Sequence, residues 1–162
     1  MKLYHGSTLA VKEPRILTIL KTSDFGTGFY TTSSLKQAID WAKAKKRRRK
    51  KGMPIVSFFD FNAECAKLDL EIKHFETPDE EWLEFVVANR KAVYAGKKYD
   101  LVIDPVADDQ TITVIDNYMK GLFSAKVALT ELEPQKLTDQ YAFLTQKALS
   151  YLTYEGVETY EI

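Results

Sequence analysis

The spacing of apolar residues changes period several times along the chain, and each change marks an element. Residues 2–5 read as a short first strand closed by Gly6. Residues 11–27 read as extended or looped, since Pro14 argues against a central strand. A turn-rich approach, Asp24-Phe25-Gly26-Thr27-Gly28, leads into a short strand, Phe29-Tyr30-Thr31-Thr32. Ser33 or Ser34 then caps a helix starting near Leu35, whose apolar positions Leu35, Ala38, Ile39 and Ala42 recur near 3.6 residues. Gly52 and Pro54 end the basic stretch that follows. Ile55–Phe61 is a strongly apolar strand, and Ala66–Leu70 reads as another.

Pro78, Asp79, Glu80 and Glu81 suit the positive end of a helix running to about Tyr94, with Trp82, Phe85, Val86 and Val93 on its buried side. Leu101–Ile103 reads as a core strand. Helices are expected around 109–122 and near 124–131, then a strand at Gln140–Leu144, a short helix at 146–152 and a last strand at Val157–Ile162. Strands mixed irregularly with helices predict an α+β fold rather than a doubly wound sheet. No repeat or long linker divides the 162 residues, so 1–162 reads as a single domain.

Composition adds few constraints. With 45% hydrophobic and 28% charged residues, the chain falls in the ordinary globular range. The single cysteine, Cys65, implies no oxidising compartment and reads as buried and inert. The N-terminus carries no apolar signal stretch, and no window approaches the roughly 20 apolar residues of a membrane span, so a cytoplasmic location is expected. Net charge is zero, yet segment 43–51 (KAKKRRRKK) concentrates eight of the 23 basic residues and no acid. That strip either attracts phosphate-rich partners, NAD pyrophosphate or nucleic acid, or forms a solvated helix end. It lacks interleaved aromatics, which disfavours single-stranded nucleic acid.

Candidate chemistry lies elsewhere. His5 stands at a strand end beside Gly6, where a ring can be presented while backbone approaches a ligand. Tyr30 at a strand end and Trp41 on the next helix can sandwich a flat heterocycle, with the small Ala38 leaving room, although both rings also suit a core. Asp100, Asp104, Asp108 and Asp109 fit no calcium-loop spacing, and His74 is distant in sequence, so capping and turn roles are expected and no metal. Arg90 is a candidate partner for one of these acids. Asp24-Phe25-Gly26 matches a kinase tripeptide by chance, without its companion motifs.

Leu3-Tyr4-His5-Gly6-Ser7 resembles the first motif of the poly-ADP-ribose-polymerase and diphtheria-toxin branch of the ADP-ribosyltransferases, and Gly28-Phe29-Tyr30 resembles the second. Ala38 and Trp41 stand eight and eleven positions after the tyrosine, where that branch has a small residue and an aromatic. Gln140-Tyr141-Ala142-Phe143-Leu144-Thr145-Gln146 is similar to the third motif but carries Gln where the branch usually has Glu. Within the superfamily the chain most resembles DUF3990, a group of small bacterial domains. Tyr99-Asp100-Leu101-Val102-Ile103-Asp104-Pro105-Val106-Ala107-Asp108-Asp109 is similar to the middle motif of that group.

The resemblance implies a split, mixed β-sheet with flanking helices and an NAD cleft. It implies that His5 bonds the ribose, that the Gly6 backbone holds the nicotinamide carboxamide, that Tyr30 and Trp41 stack on the nicotinamide ring, and that Ser7, Gly28 and Ala38 belong to the same NAD-binding set. Ala38 cannot supply the serine bond to the carboxamide that relatives have. Position 140 would meet the 2′-hydroxyl of the nicotinamide ribose. It also implies a macromolecular acceptor and a toxin–antitoxin setting with a small antitoxin protein.

Breaking the glycosidic bond builds positive charge on ribose, which a carboxylate stabilises more in the transition state than in the ground state. Gln140 can orient a hydroxyl but has no charge. Asp139 is anionic, but in a strand it points to the opposite face. Three readings follow: a slow transferase, a transferase using another acid, and a domain that binds NAD without turnover. Retention of His5 and both aromatics favours a transferase. On this basis Gln140→Glu is expected to speed NAD cleavage.

Overall fold

The computed structural model describes residues 1–16, 27–105, 109–132 and 138–161. In chain order the elements are β1 (Lys2–Ser7), β2 (Phe29–Thr31), α1 (Leu35–Arg49), β3 (Ile55–Phe61), α2 (Ala63–Asp69), β4 (Ile72–His74), α3 (Glu80–Arg90), β5 (Leu101–Pro105), α4 (Asp109–Met119), α5 (Ala125–Leu132), β6 (Asp139–Phe143), α6 (Gln146–Leu149) and β7 (Leu152–Thr159). The fold is α+β, with two sheets and six helices among the described residues.

One sheet has the order β1-β3-β7 and is antiparallel throughout. The other has the order β2-β6-β5-β4 and is mixed, because β4 runs parallel to β5. Among the described residues a single bridge, Tyr4 to Thr32, links them: Tyr4 N donates to Thr32 O at 2.9 Å and Thr32 N to Tyr4 O at 3.0 Å. Beside it, between β1 and β2, runs the seam where the two sheets meet.

Three apolar clusters hold these layers. Trp82, Leu83, Val86, Val102, Ile115, Leu132 and Ala142 fill the space between the four-stranded sheet and α3, α4 and α5. Leu3, Phe29, Phe59, Phe61, Leu101 and Phe143 pack where the other face of that sheet meets β1 and β3. Ala38 and Ala42 seat α1 on Val56. Among the described residues no helix is long and apolar enough to cross a membrane.

Several boundaries differ from the sequence expectation for local reasons. Ala66–Leu70 is not a strand; Ala63–Asp69 is helical, with the Asn62 side chain capping Cys65 N at 3.3 Å. Ala66 and Leu70, four apart, point inward while Leu68 is 91% exposed, a helical arrangement that a short apolar run does not reveal. Cys65, expected to be buried, lies on the outer side of that helix and is exposed.

Helix α3 stops at Arg90 rather than Tyr94. Ala92 adopts φ 56° and Val93 N reaches back to Ala88 O at 2.9 Å, so the chain reverses and leaves Val93 67% exposed. The three-residue β4 has no signal in the sequence; among the described residues its strand partner is β5. The last strand begins five residues before Val157, at Leu152. The Asp24-Phe25-Gly26 turn, most of the 11–27 segment, Val106-Ala107-Asp108 and Ile162 lie outside the described residues.

Candidate functional site

Gly6 determines how α1 meets β1. A Cβ added there would stand 2.0 Å from the Ala38 carbonyl oxygen and 3.0 Å from Ala42 N. Only glycine lets the helix backbone approach this closely, so Gly6 and Ala38 are brought together by packing. The same register decides where the Gly6 backbone points. His5 pairs with Ser57 across β3, while Tyr4 turns its N–H and C=O toward Thr32 on the other side. Alternation therefore turns the Gly6 amide and carbonyl to the side of Tyr4, toward the seam. Lys45 Nζ donates to that carbonyl at 2.8 Å, and one helical turn later Arg49 Nη1 approaches Thr8 Oγ1 at 3.5 Å.

The His5 ring stacks on Phe29, with centroids 4.2 Å apart and planes at 27°. Its Nδ1 lies 2.7 Å from the Tyr30 carbonyl oxygen. A carbonyl only accepts, so Nδ1 carries the proton and Nε2 is left as the acceptor. Burial lowers the imidazole pKa from 6.5 to about 3; the nearby Lys45 charge lowers it further, and the bond to Tyr30 works the other way. The ring is therefore neutral across the physiological range.

Tyr30 pairs with Ala142 across β2 and β6, so Tyr30 and Gln140 share a face as diagonal neighbours, about 7–8 Å apart. His5 belongs to the opposite set of side chains, with Leu3 and Phe29. It reaches Tyr30 through the backbone carbonyl rather than the phenol ring. Trp41 is half-buried on α1, one turn from Ala38. A Cβ on Gly28 would meet Leu144 Cδ2 and Phe143 O, each at 2.8 Å, so that glycine presses β2 against the end of β6. Ser7 is buried at the end of β1, opposite Ile55.

Gln140 is buried and meets a carboxylate that sequence reasoning assigned to capping. Asp104 stands directly opposite it across β5 and β6. The Asp104 carboxylate accepts from Trp82 Nε1 at 2.6 Å and from Gln140 Nε2 at 3.4 Å. Asp104 is thus an interior residue, not a turn residue. Its signal in the sequence was an acid in alternation with the apolar Val102, on the strand's inward face.

Asp100 does serve a junction, accepting from Glu71 N and from Thr145 Oγ1. Asp139 faces away from Gln140, as strand alternation requires. It accepts from Ser33 N at 2.8 Å, from Thr32 Oγ1 at 3.4 Å and from Ser33 Oγ, fastening the start of α1 to β6. Arg90 reaches Asp116 at 3.6 Å.

The basic strip is the last turns of α1 and its C-cap Lys50, where cations offset the negative helix end. Lys45 and Arg49, four residues apart, turn toward β1, while Arg47, Arg48, Lys50 and Lys51 are exposed.

A sequence model of the family described as a protein of unknown function (DUF3990) matches residues 1–154. No curated protein and no solved structure matches the chain.

Proposed function

This chain belongs to the DUF3990 family, and from that premise, joined to the geometry of the seam, we propose that it is an NAD-dependent ADP-ribosyltransferase of ADP-ribosyltransferase fold acting on a macromolecular acceptor. The observation that carries the reading is the edge of β1, where a glycine backbone faces the seam beside a neutral histidine of fixed tautomer.

A carboxamide fits that edge. The Gly6 N–H can donate to its oxygen, and the Gly6 carbonyl, with two lone pairs, can accept its N–H alongside Lys45. His5 Nε2 then accepts from a ribose hydroxyl. Tyr30 and Trp41 supply flat faces for the nicotinamide, and Lys45 and Arg49 supply positive charge for the diphosphate. In the reaction the bond between ribose C1′ and the nicotinamide nitrogen breaks, and its electron pair leaves with nicotinamide. The acceptor nucleophile attacks the cationic ribosyl carbon and gives up its proton. Gln140, buried on the same sheet face as Tyr30, is the residue this reading assigns to the ribose 2′-hydroxyl.

A second reading, NAD binding without turnover, is favoured by one observation: residue 140 is uncharged and engaged with Asp104. Incubating the protein with nicotinamide-labelled NAD separates the two. The transferase releases nicotinamide, and His5→Ala or Tyr30→Ala lowers that release at least tenfold while the protein stays folded by circular dichroism. Saturable binding without release supports the second reading, and absence of NAD binding refutes both.

A further inference from the structure

The pairing of Asp104 with Gln140 supports a deeper assignment, which rests on the NAD reading. Asp104 is 2% exposed and Gln140 5%, so the carboxylate and the amide, directly opposite on neighbouring strands, are enclosed together. An ionised carboxylate only accepts hydrogen bonds. Trp82 Nε1 holds one of its oxygens at 2.6 Å, and the other is 3.4 Å from Gln140 Nε2. The reverse orientation of the amide would set Oε1 against a carboxylate oxygen, acceptor against acceptor. The network therefore turns Nε2 toward Asp104 and Oε1 away from it.

We propose that Asp104 is the positioning residue that fixes the Gln140 amide with Oε1 toward the ribose 2′-hydroxyl, and that its buried carboxylate, on the strand beside position 140, stabilises the ribosyl cation. The acid that relatives are expected to carry on β6 is thereby supplied from β5, through a neutral residue that touches the substrate. The amide transmits the charge by polarisation along the hydrogen bond. Trp82 keeps the carboxylate in place.

This assignment changes the expectation for position 140. Gln140→Glu alone sets a second carboxylate against Asp104 in an enclosed site, and two like charges that close cannot both ionise readily. One takes up a proton, and the gain expected from Glu alone is lost. Exchanging the pair, Asp104→Asn with Gln140→Glu, restores one carboxylate and one amide and moves the charge next to the ribose.

The test measures nicotinamide release and NAD affinity in the full chain for four proteins: unaltered, Asp104→Asn, Gln140→Glu and the exchanged pair. Each is checked for folding by circular dichroism. Asp104→Asn should lose about 100-fold in kcat, the scale of a missing electrostatic group at a charged transition state, with NAD affinity changed less than about threefold. The exchanged pair should regain at least tenfold over Asp104→Asn and exceed Gln140→Glu at pH 7. Trp82→Phe, which keeps the charge but loosens it, should reduce kcat less than Asp104→Asn does.

Asp104→Asn with the kcat of the unaltered protein would refute the assignment, as would an exchanged pair no faster than Asp104→Asn. NAD binding by the unaltered protein with no nicotinamide release would also refute it, while leaving NAD recognition standing. An unaltered protein that binds no NAD would remove the parent reading and this one together.

Discussion

Gly6→Ala tests the packing on which the seam depends. The added Cβ would lie 2.0 Å from Ala38 O, against 3.4 Å or more in ordinary contact. The obstruction is helix backbone, which cannot swing aside as a side chain would. Either α1 withdraws from β1 by about 1.4 Å, the difference between those two distances, or β1 bends away. Both responses disturb the seat of Ala38 and Ala42 on Val56. Overpacking a closed core costs typically 1–3 kcal/mol. A backbone-on-backbone clash belongs at the upper end, about 3 kcal/mol, a large part of the 5–15 kcal/mol that holds a domain of this size together. The corresponding fall in Tm is roughly 6–12 °C. Urea unfolding followed by tryptophan fluorescence measures the cost, because both tryptophans lie on helices packed onto the sheets. A Gly6→Ala protein within about 0.5 kcal/mol of the unaltered one would show that α1 does not press on β1 as described. The same variant should weaken NAD binding, because the backbone edge presented to the carboxamide moves with the helix.

The His5 environment predicts a pH dependence. Its pKa is 6.5 in the unfolded chain and about 3 in the folded one. Between those values the unfolded state binds more protons, so stability falls as pH drops from about 6.5 toward 3 and this contribution is flat above 6.5. Urea midpoints measured across that range for His5→Asn should fall less steeply; parallel curves for the two proteins would contradict a desolvated neutral ring. Gly121→Ala probes strain without a clash: Gly121 has φ 77° and nothing within 4 Å of an added Cβ. It should cost about 1 kcal/mol from the left-handed backbone alone and leave NAD binding unchanged, and a loss beyond about 2 kcal/mol in urea unfolding would argue against that account.

Elements with a local cause were legible in the residues. Ile55–Phe61 is where its strongly apolar sequence placed it, and α1 begins at Leu35 behind Ser34, whose hydroxyl accepts from Gln37 N at 3.2 Å. Asp79 caps α3 as its acidic first turn suggested. Elements that exist through distant partners were not legible. β4 is three residues long and forms by pairing with β5, and Ala66–Leu70 reads as a strand from its residues alone because five apolar-rich positions fit either period.

The sequence by itself determined the α+β class, the short strands bearing His5 and Tyr30, and the helix bearing Ala38 and Trp41, because caps, periodicity and turn residues act over a few positions. Tertiary structure alone decided that Gly6 is the contact point of α1, that the His5 ring lodges on Phe29, and that Asp104 stands opposite Gln140. Those facts depend on strand register, which joins residues dozens of positions apart. A shift of one residue in β5 against β6 would turn every one of their side chains to the opposite face. No local preference in either strand fixes that choice; the apolar layer built from Val102, Ala142 and Trp82 does.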